Sequence, residues 1–140
     1  MKLEKPRVVL DTNIVVSAAI SMDGNPAKIF ELLLENKIVN YTTKEMLNEV
    51  EDVLGRPFFK KYADEKYRKF VVENLQKNSV ITNPEFFEKI VEKDSKDDKF
   101  VNCALSANAN VISGDKHLLE LKSYKNIKIL NAKEFLDNFG

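Results

Sequence analysis

Two short apolar runs in this chain each end in an aspartate. Arg7-Val8-Val9-Leu10 leads directly into Asp11, and Val111-Ile112-Ser113-Gly114 leads into Asp115. A nearly continuous apolar run, rather than an alternating one, marks a strand covered on both faces. Strands of that kind need helices above and below them, which restricts the chain to layered α/β architectures with a parallel sheet.

The rest of the chain fits that frame. Asn25-Pro26 reads as a helix start, with Asn25 as N-cap and Pro26 at the first helical position. Ile29, Phe30, Leu33 and Leu34 then face inward. Residues 38–41 read as a second strand. Thr43 caps a helix to about Leu54, and Gly55 and Pro57 stop it. Residues 62–77 read as a long helix and 80–82 as a short edge strand. Residues 86–91 read as a helical turn or loop. A helix over 97–109, a strand over 111–113, a helix over 116–121, a strand over 127–130 and a helix over 132–139 complete the order. The expected fold is a three-layer α/β/α sandwich with a mostly parallel sheet of four to five strands, in one domain spanning 1–140. Such sheets bind ligands beyond the carboxyl ends of their strands.

Composition excludes several chemistries. The 22 Lys and Arg balance 22 Asp and Glu, so bulk charge does not drive nucleic-acid binding, although local patches and bound cations remain available. A single cysteine, Cys103, permits no internal disulfide and no Cys-rich zinc site, and a single histidine leaves His-based triads without their parts. The opening Met-Lys-Leu-Glu-Lys-Pro is too polar for a signal peptide, and no apolar run approaches the ~20 residues of a membrane span. A reducing cytoplasm fits this composition, with no membrane role.

Acidic residues are what remain. Asp11 and Asp115 both sit just past strands, where an open α/β sheet keeps its site; each also suits a turn or a helix N-cap. Gly114 gives the backbone freedom to bend before Asp115. Asp97 projects onto the apolar face defined by Phe100, Val101, Ala104 and Leu105, one turn before them. An inward carboxylate needs a partner, or must point past the core into a crevice. Its rival role, with Asp94 and Asp98, is to favour the helix dipole. Asp98 projects about 100° away, toward the flank. On the helix after Thr43, Glu49 borders the stripe of Met46, Leu47, Val50 and Val53 on one side and Glu51 on the other, and geometry does not choose between them. Carboxylates gathered in a small space need compensation, which hard divalent cations supply. Such sites activate water for in-line phosphoryl displacement.

Four segments together resemble the PIN domain family. These are Asp11-Thr12-Asn13-Ile14 after its strand; Glu45-Met46-Leu47-Asn48-Glu49-Val50 with Val53-Leu54-Gly55-Arg56-Pro57; Asp94-Ser95-Lys96-Asp97-Asp98-Lys99-Phe100 with Ala104; and Val111-Ile112-Ser113-Gly114-Asp115-Lys116-His117-Leu118-Leu119. They occur in family order and span nearly the whole chain. The resemblance implies hydrolysis of single-stranded RNA with Mg²⁺ or Mn²⁺ held by an acidic quartet of Asp11, Glu49, Asp97 and Asp115. Asn13 and Ser113 are implied as supporting polar groups, and Asp98 and Asp94 as secondary acids. Lys99 and Lys116 adjoin the motifs as possible phosphate contacts. The departure is His117, which stands where relatives often carry an acid or a small residue. The subtype resembles toxins of prokaryotic toxin–antitoxin pairs, which implies an antitoxin partner and a homodimer.

Two other readings compete. A haloacid-dehalogenase-like phosphatase also begins with a strand-end aspartate, but wants an acid at Asn13 and another at Leu119. A partner-binding module with a vestigial site needs no metal.

Overall fold

The computed structural model describes residues 4–91 and 95–139. Strand β1 (Arg7–Leu10) lies at the centre of a six-stranded sheet with β2 (Val39–Thr42), β3 (Ser79–Ile81), β4 (Asn110–Ile112), β5 (Ser123–Tyr124) and β6 (Ile127–Leu130), in the order β3-β2-β1-β4-β6-β5. Every pairing is parallel except the last, between β5 and β6. Helices α1 (Thr12–Ile20), α2 (Asn25–Leu34), α3 (Lys44–Leu54), α4 (Glu65–Asn78), α5 (Asp98–Ala107), α6 (Lys116–Leu121) and α7 (Ala132–Asp137) cover the two faces.

Burial along β1 explains the layers. Val8 and Leu10 enter one apolar cluster with Ile14 and Val15 of α1, Ile29 of α2 and Leu47 of α3. Val9 points the other way, into a cluster with Phe100 and Val101 of α5 and Leu118 of α6. Alternate residues of a strand face opposite sides, so a strand buried on both faces reads as uniformly apolar. Buried Asn40 on β2 has its needs met: its carbonyl accepts the Leu10 N–H at 3.0 Å, and its amide donates to Ser79 Oγ at 2.9 Å. This polar pin ties β1, β2 and β3 into register.

The structure differs from the expectations in a few places. The sheet has six strands rather than four or five, because Ser123 and Tyr124 fold back on β6 through a tight turn at Lys125, whose φ is 54°. The segment 57–61 is a separate 3-10 turn, and α4 starts only at Glu65, capped by Asp64 through the Tyr67 N–H at 2.7 Å. Residues 86–91 form a loop, one of the two forms expected for them. Helix α2 is capped by Gly24, not Asn25, with Pro26 one position later than expected. Helix α5 starts at Asp98, after a 3-10 turn over Ser95–Asp97. Among the described residues no helix is long and apolar enough to cross a membrane.

Strand order reverses about β1: the chain moves outward through β2 and β3, then returns to the other side of β1 as β4. The crevice beyond the carboxyl ends of β1 and β4 is therefore the topological switch point. Asp11 and Asp115 follow those two ends.

Candidate active site

Asp11 forms the floor of this crevice. It is 1% exposed, and its backbone N–H continues the ladder to Ile112 O at 3.1 Å, which fixes it beside β4. Its Oδ1 caps α1 by accepting the Ile14 N–H at 2.8 Å. Its Oδ2 accepts from the Ser113 hydroxyl, and the Gly114 N–H also donates to the carboxylate. These donors lower the pKa, yet burial, with the nearby Asp115 charge adding to it, pushes Asp11 up to about 6. Two roles that compete in the sequence thus coexist. Asp11 is a helix cap and also a buried carboxylate in need of positive charge.

Ser113 joins the two strand-end acids. Its side chain is fully buried, donating to Asp11 while its oxygen accepts the Asp115 N–H at 2.9 Å. Asp115 caps α6, accepting the N–H groups of His117 at 2.8 Å and Leu118 at 3.2 Å through Oδ1. Gly114 is not needed for its conformation, since no glycine among the described residues has a positive φ and a Cβ there would meet nothing. The expected backbone freedom is unused.

Glu49 forms one wall. It stands in the second turn of α3 and accepts from both the Thr12 hydroxyl and the Lys99 ammonium. Glu51, the alternative on that helix, is exposed. Asp97 enters from the start of α5, where it occupies the N-cap position without capping through its side chain. Asp11, Asn13, Glu49, Asp97 and Asp115 all line one cleft of about 200 Å³, with Lys96 and Lys99 as its cations and Val53 and Phe100 as apolar wall.

Other expected residues lie elsewhere. Asp98 faces away, and its Oδ1 accepts the backbone N–H groups of Ile90 and Val91 at 3.3 and 2.7 Å. It anchors the 83–91 segment and lines a neighbouring concavity of about 770 Å³ rather than the acidic cleft. Lys116 is exposed outside the cleft. His117 is half-buried, does not line the cleft, and its Nδ1 has no hydrogen-bond partner among the described residues. Lys99 lines the cleft, but as the ion-pair partner of Glu49. Asp94 lies outside the described residues. Thr12 escaped sequence reasoning, because a threonine after a strand-end aspartate reads only as a helix start. The larger concavity contains no comparable convergence of acids, so its size does not make it the chemical centre.

The donor chemistry of the cleft suits a hard divalent cation: carboxylate, hydroxyl and amide oxygens, with no sulfur or imidazole among the lining groups. Among the described residues no three acidic, Cys or His side chains form a ready-made metal cage. Glu49 accepts hydrogen bonds from Thr12 and Lys99, and Asp11 accepts one from Ser113. The residues fit an ion in kind, and their present partners are groups a cation would compete with.

The class defined by the fold and site is an α/β/α sandwich with an acidic cleft at its topological switch point. Residues 7–117 match the PIN domain, and the chain belongs to the PIN domain family. It is 34% identical over 148 residues to the uncharacterized protein MJ1680 of Methanocaldococcus jannaschii, covering 99% of this chain and 95% of that one. In fold it is similar to PAE2754 from Pyrobaculum aerophilum (TM-score 0.65, 11% identity, 96% of this chain and 89% of that chain). It is also similar to a chain of VapBC2 from Rickettsia felis, solved bound to a DNA fragment from their promoter (TM-score 0.58, 16% identity, 89% of this chain and 98% of that chain).

Proposed function

We propose that the chain is a Mg²⁺- or Mn²⁺-dependent endoribonuclease that hydrolyses single-stranded RNA. The observation that carries this reading is the convergence of Asp11, Glu49, Asp97 and Asp115 on one cleft, from four elements far apart in sequence. Membership of the PIN domain family supports it.

Asp11, Asp97 and Asp115 are the groups that would hold the ion, with Glu49 orienting water at the wall. The ion, when bound, supplies the Lewis acidity that makes a water nucleophilic near neutral pH and offsets charge on the leaving oxygen. Ser113 holds Asp11 in one orientation and keeps Asp115 in register with it. Asn13, exposed at the rim, is placed to donate to a phosphate or sugar oxygen. Lys99, released from Glu49, is placed to meet the phosphate. Val53 and Phe100 exclude water from one side of the cleft.

The biological setting we propose is the toxin of a toxin–antitoxin pair, acting in the cytoplasm as a homodimer with an antitoxin partner. The fold likeness to VapBC2 supports that setting. The phosphatase reading is less well supported, because Asn13 and Leu119 replace its two further acids.

The test is cleavage of a labelled single-stranded RNA in Mn²⁺ by wild type and Asp11→Asn. The wild type is expected to cleave, and the variant to lose roughly 10²–10³-fold in rate while remaining folded, on the scale of removing a catalytic electrostatic group. Equal rates would remove Asp11 from the mechanism. Turnover of an aryl phosphate without RNA cleavage would favour the phosphatase, and loss of all metal binding would leave only the partner module.

A further inference from the structure

We propose that the rings of Phe58 and Tyr62, with Lys60 and Lys61 beside them, form a stacking platform for the RNA strand whose scissile phosphate enters the acidic cleft. The inference rests on the nuclease reading above and names where that substrate is gripped.

The physical problem is affinity. A cleft lined by four carboxylates repels a polyanion, and the chain as a whole is neutral. Beyond what Lys96, Lys99 and a bound cation contribute inside the cleft, affinity for a strand is gained from a basic, aromatic surface outside it. Residues 56–70 carry six Lys and Arg against two acids, Asp64 and Glu65, in a chain whose totals balance at 22 and 22. Arg56 and Lys69 are engaged with Asp52 and Glu65, and Arg68 is spent on the carbonyls of Ala63 and Leu54. Lys60, Lys61 and Lys66 are exposed and have no ion-pair partner among the described residues.

The same segment holds aromatic rings out to solvent. Phe58 is 59% exposed and Tyr62 is 55% exposed, although both are large rings of the kind that normally pack into a core. The rings are ordered by one another. Phe59 packs partly on the core; Phe58 meets it edge-on at 5.0 Å, and Tyr62 tilts against Phe58 at 5.3 Å. Rings fixed in this way present faces on which bases stack, a sequence-tolerant interaction. The centres of protein–protein interfaces are depleted in lysine, whereas here Lys60 and Lys61 lie between the two rings in sequence and are exposed, so the composition favours a nucleic-acid strand over a protein partner.

The platform is near the cleft along the chain. Val53 lines the cleft, and its carbonyl accepts the Arg56 N–H at 3.2 Å at the start of the 3-10 turn (Pro57–Lys61). Phe58 is five residues past Val53, so roughly 18 Å of chain at most separates them.

The test compares wild type with Phe58→Ala/Tyr62→Ala and with Lys60→Gln/Lys61→Gln. Binding of a fluorescent twelve-nucleotide single-stranded RNA is read by anisotropy in EDTA, hydrolysis of a dinucleotide in Mn²⁺ reports the cleft alone, and sedimentation reports self-association. Removing the rings is expected to weaken strand binding roughly ten-fold per ring, the scale of one stacked base. Removing the lysines is expected to flatten the salt dependence by about 0.7 for each phosphate left without its lysine. Dinucleotide turnover should not change in either variant. Unchanged affinity in the ring variant overturns the platform, and so does a change in sedimentation with affinity intact, which would mark a protein interface. A wild type that binds the strand but cleaves neither it nor the dinucleotide in Mn²⁺ defeats the nuclease reading and leaves the grip on RNA standing.

Discussion

The floor and the wall of the acidic cleft treat their carboxylates differently. Asp11 on the floor is 1% exposed, meets only neutral donors and has the charge of Asp115 nearby. Glu49 on the wall is partly exposed and already holds the ammonium of Lys99. The floor therefore lacks positive charge, while the wall has a cation of its own. Under the proposed metal-dependent reading, an ion would be drawn first to Asp11, and Glu49 would join it only by giving up Lys99.

The largest effect expected from this contrast is on stability. Asp11 is raised from 3.8 to about 6 in the folded protein, so the fold favours its protonated form. With that sign, the contribution of Asp11 is fully present below about pH 4 and is lost as pH rises through 6, where the buried charge costs about 3 kcal/mol, at about 1.4 per pKa unit. Asp11→Asn, free of divalent ions, is expected to melt several degrees above wild type at pH 7.5 and level with it at pH 4. A difference independent of pH would break the contrast. Mn²⁺ at about a hundred-fold excess over its dissociation constant should stabilise wild type by about 2.7 kcal/mol and the variant far less.

Ser113→Ala comes next. It leaves Asp11 Oδ2 and the Asp115 N–H without their shared partner, at a cost of about 2 kcal/mol in denaturant melts. It also moves the pH midpoint of the stability profile upward, because the serine bond is the largest influence holding the Asp11 pKa down. An unchanged midpoint would mean that Ser113 does not tune the floor.

The smallest effect is at the wall. Lys99→Met makes the wall resemble the floor, and Mn²⁺ affinity measured by calorimetry should tighten about ten-fold, given a charge removed at close range and partly screened. Weaker binding would show that Lys99 supports the site instead of competing for it.

Much of this site is legible in the sequence, for stated reasons. Asp11 and Asp115 stand out because apolar strands end at them, whereas Asp97 lines the cleft from the 3-10 turn before α5 and not from the helical turn on which its expected inward projection rests. What stays hidden depends on partners distant along the chain. Glu49 and Glu51 are equivalent by periodicity, and only the docking of α3 beside Thr12 and Lys99 separates them. Asp98 projects to the flank as expected, but its service to the backbone of Ile90 and Val91 depends on where that segment lies. The β5–β6 hairpin turns at Lys125-Asn126, with none of the glycine that usually marks such turns.

The most direct test of the central claim is anomalous diffraction from crystals soaked in Mn²⁺. A peak in the cleft touching carboxylate oxygens of Asp11 and Asp115, with Lys99 moved off Glu49, is the predicted result. A Mn²⁺ peak bound elsewhere, with Asp11 still held only by Ser113, Ile14 and Gly114, would contradict it.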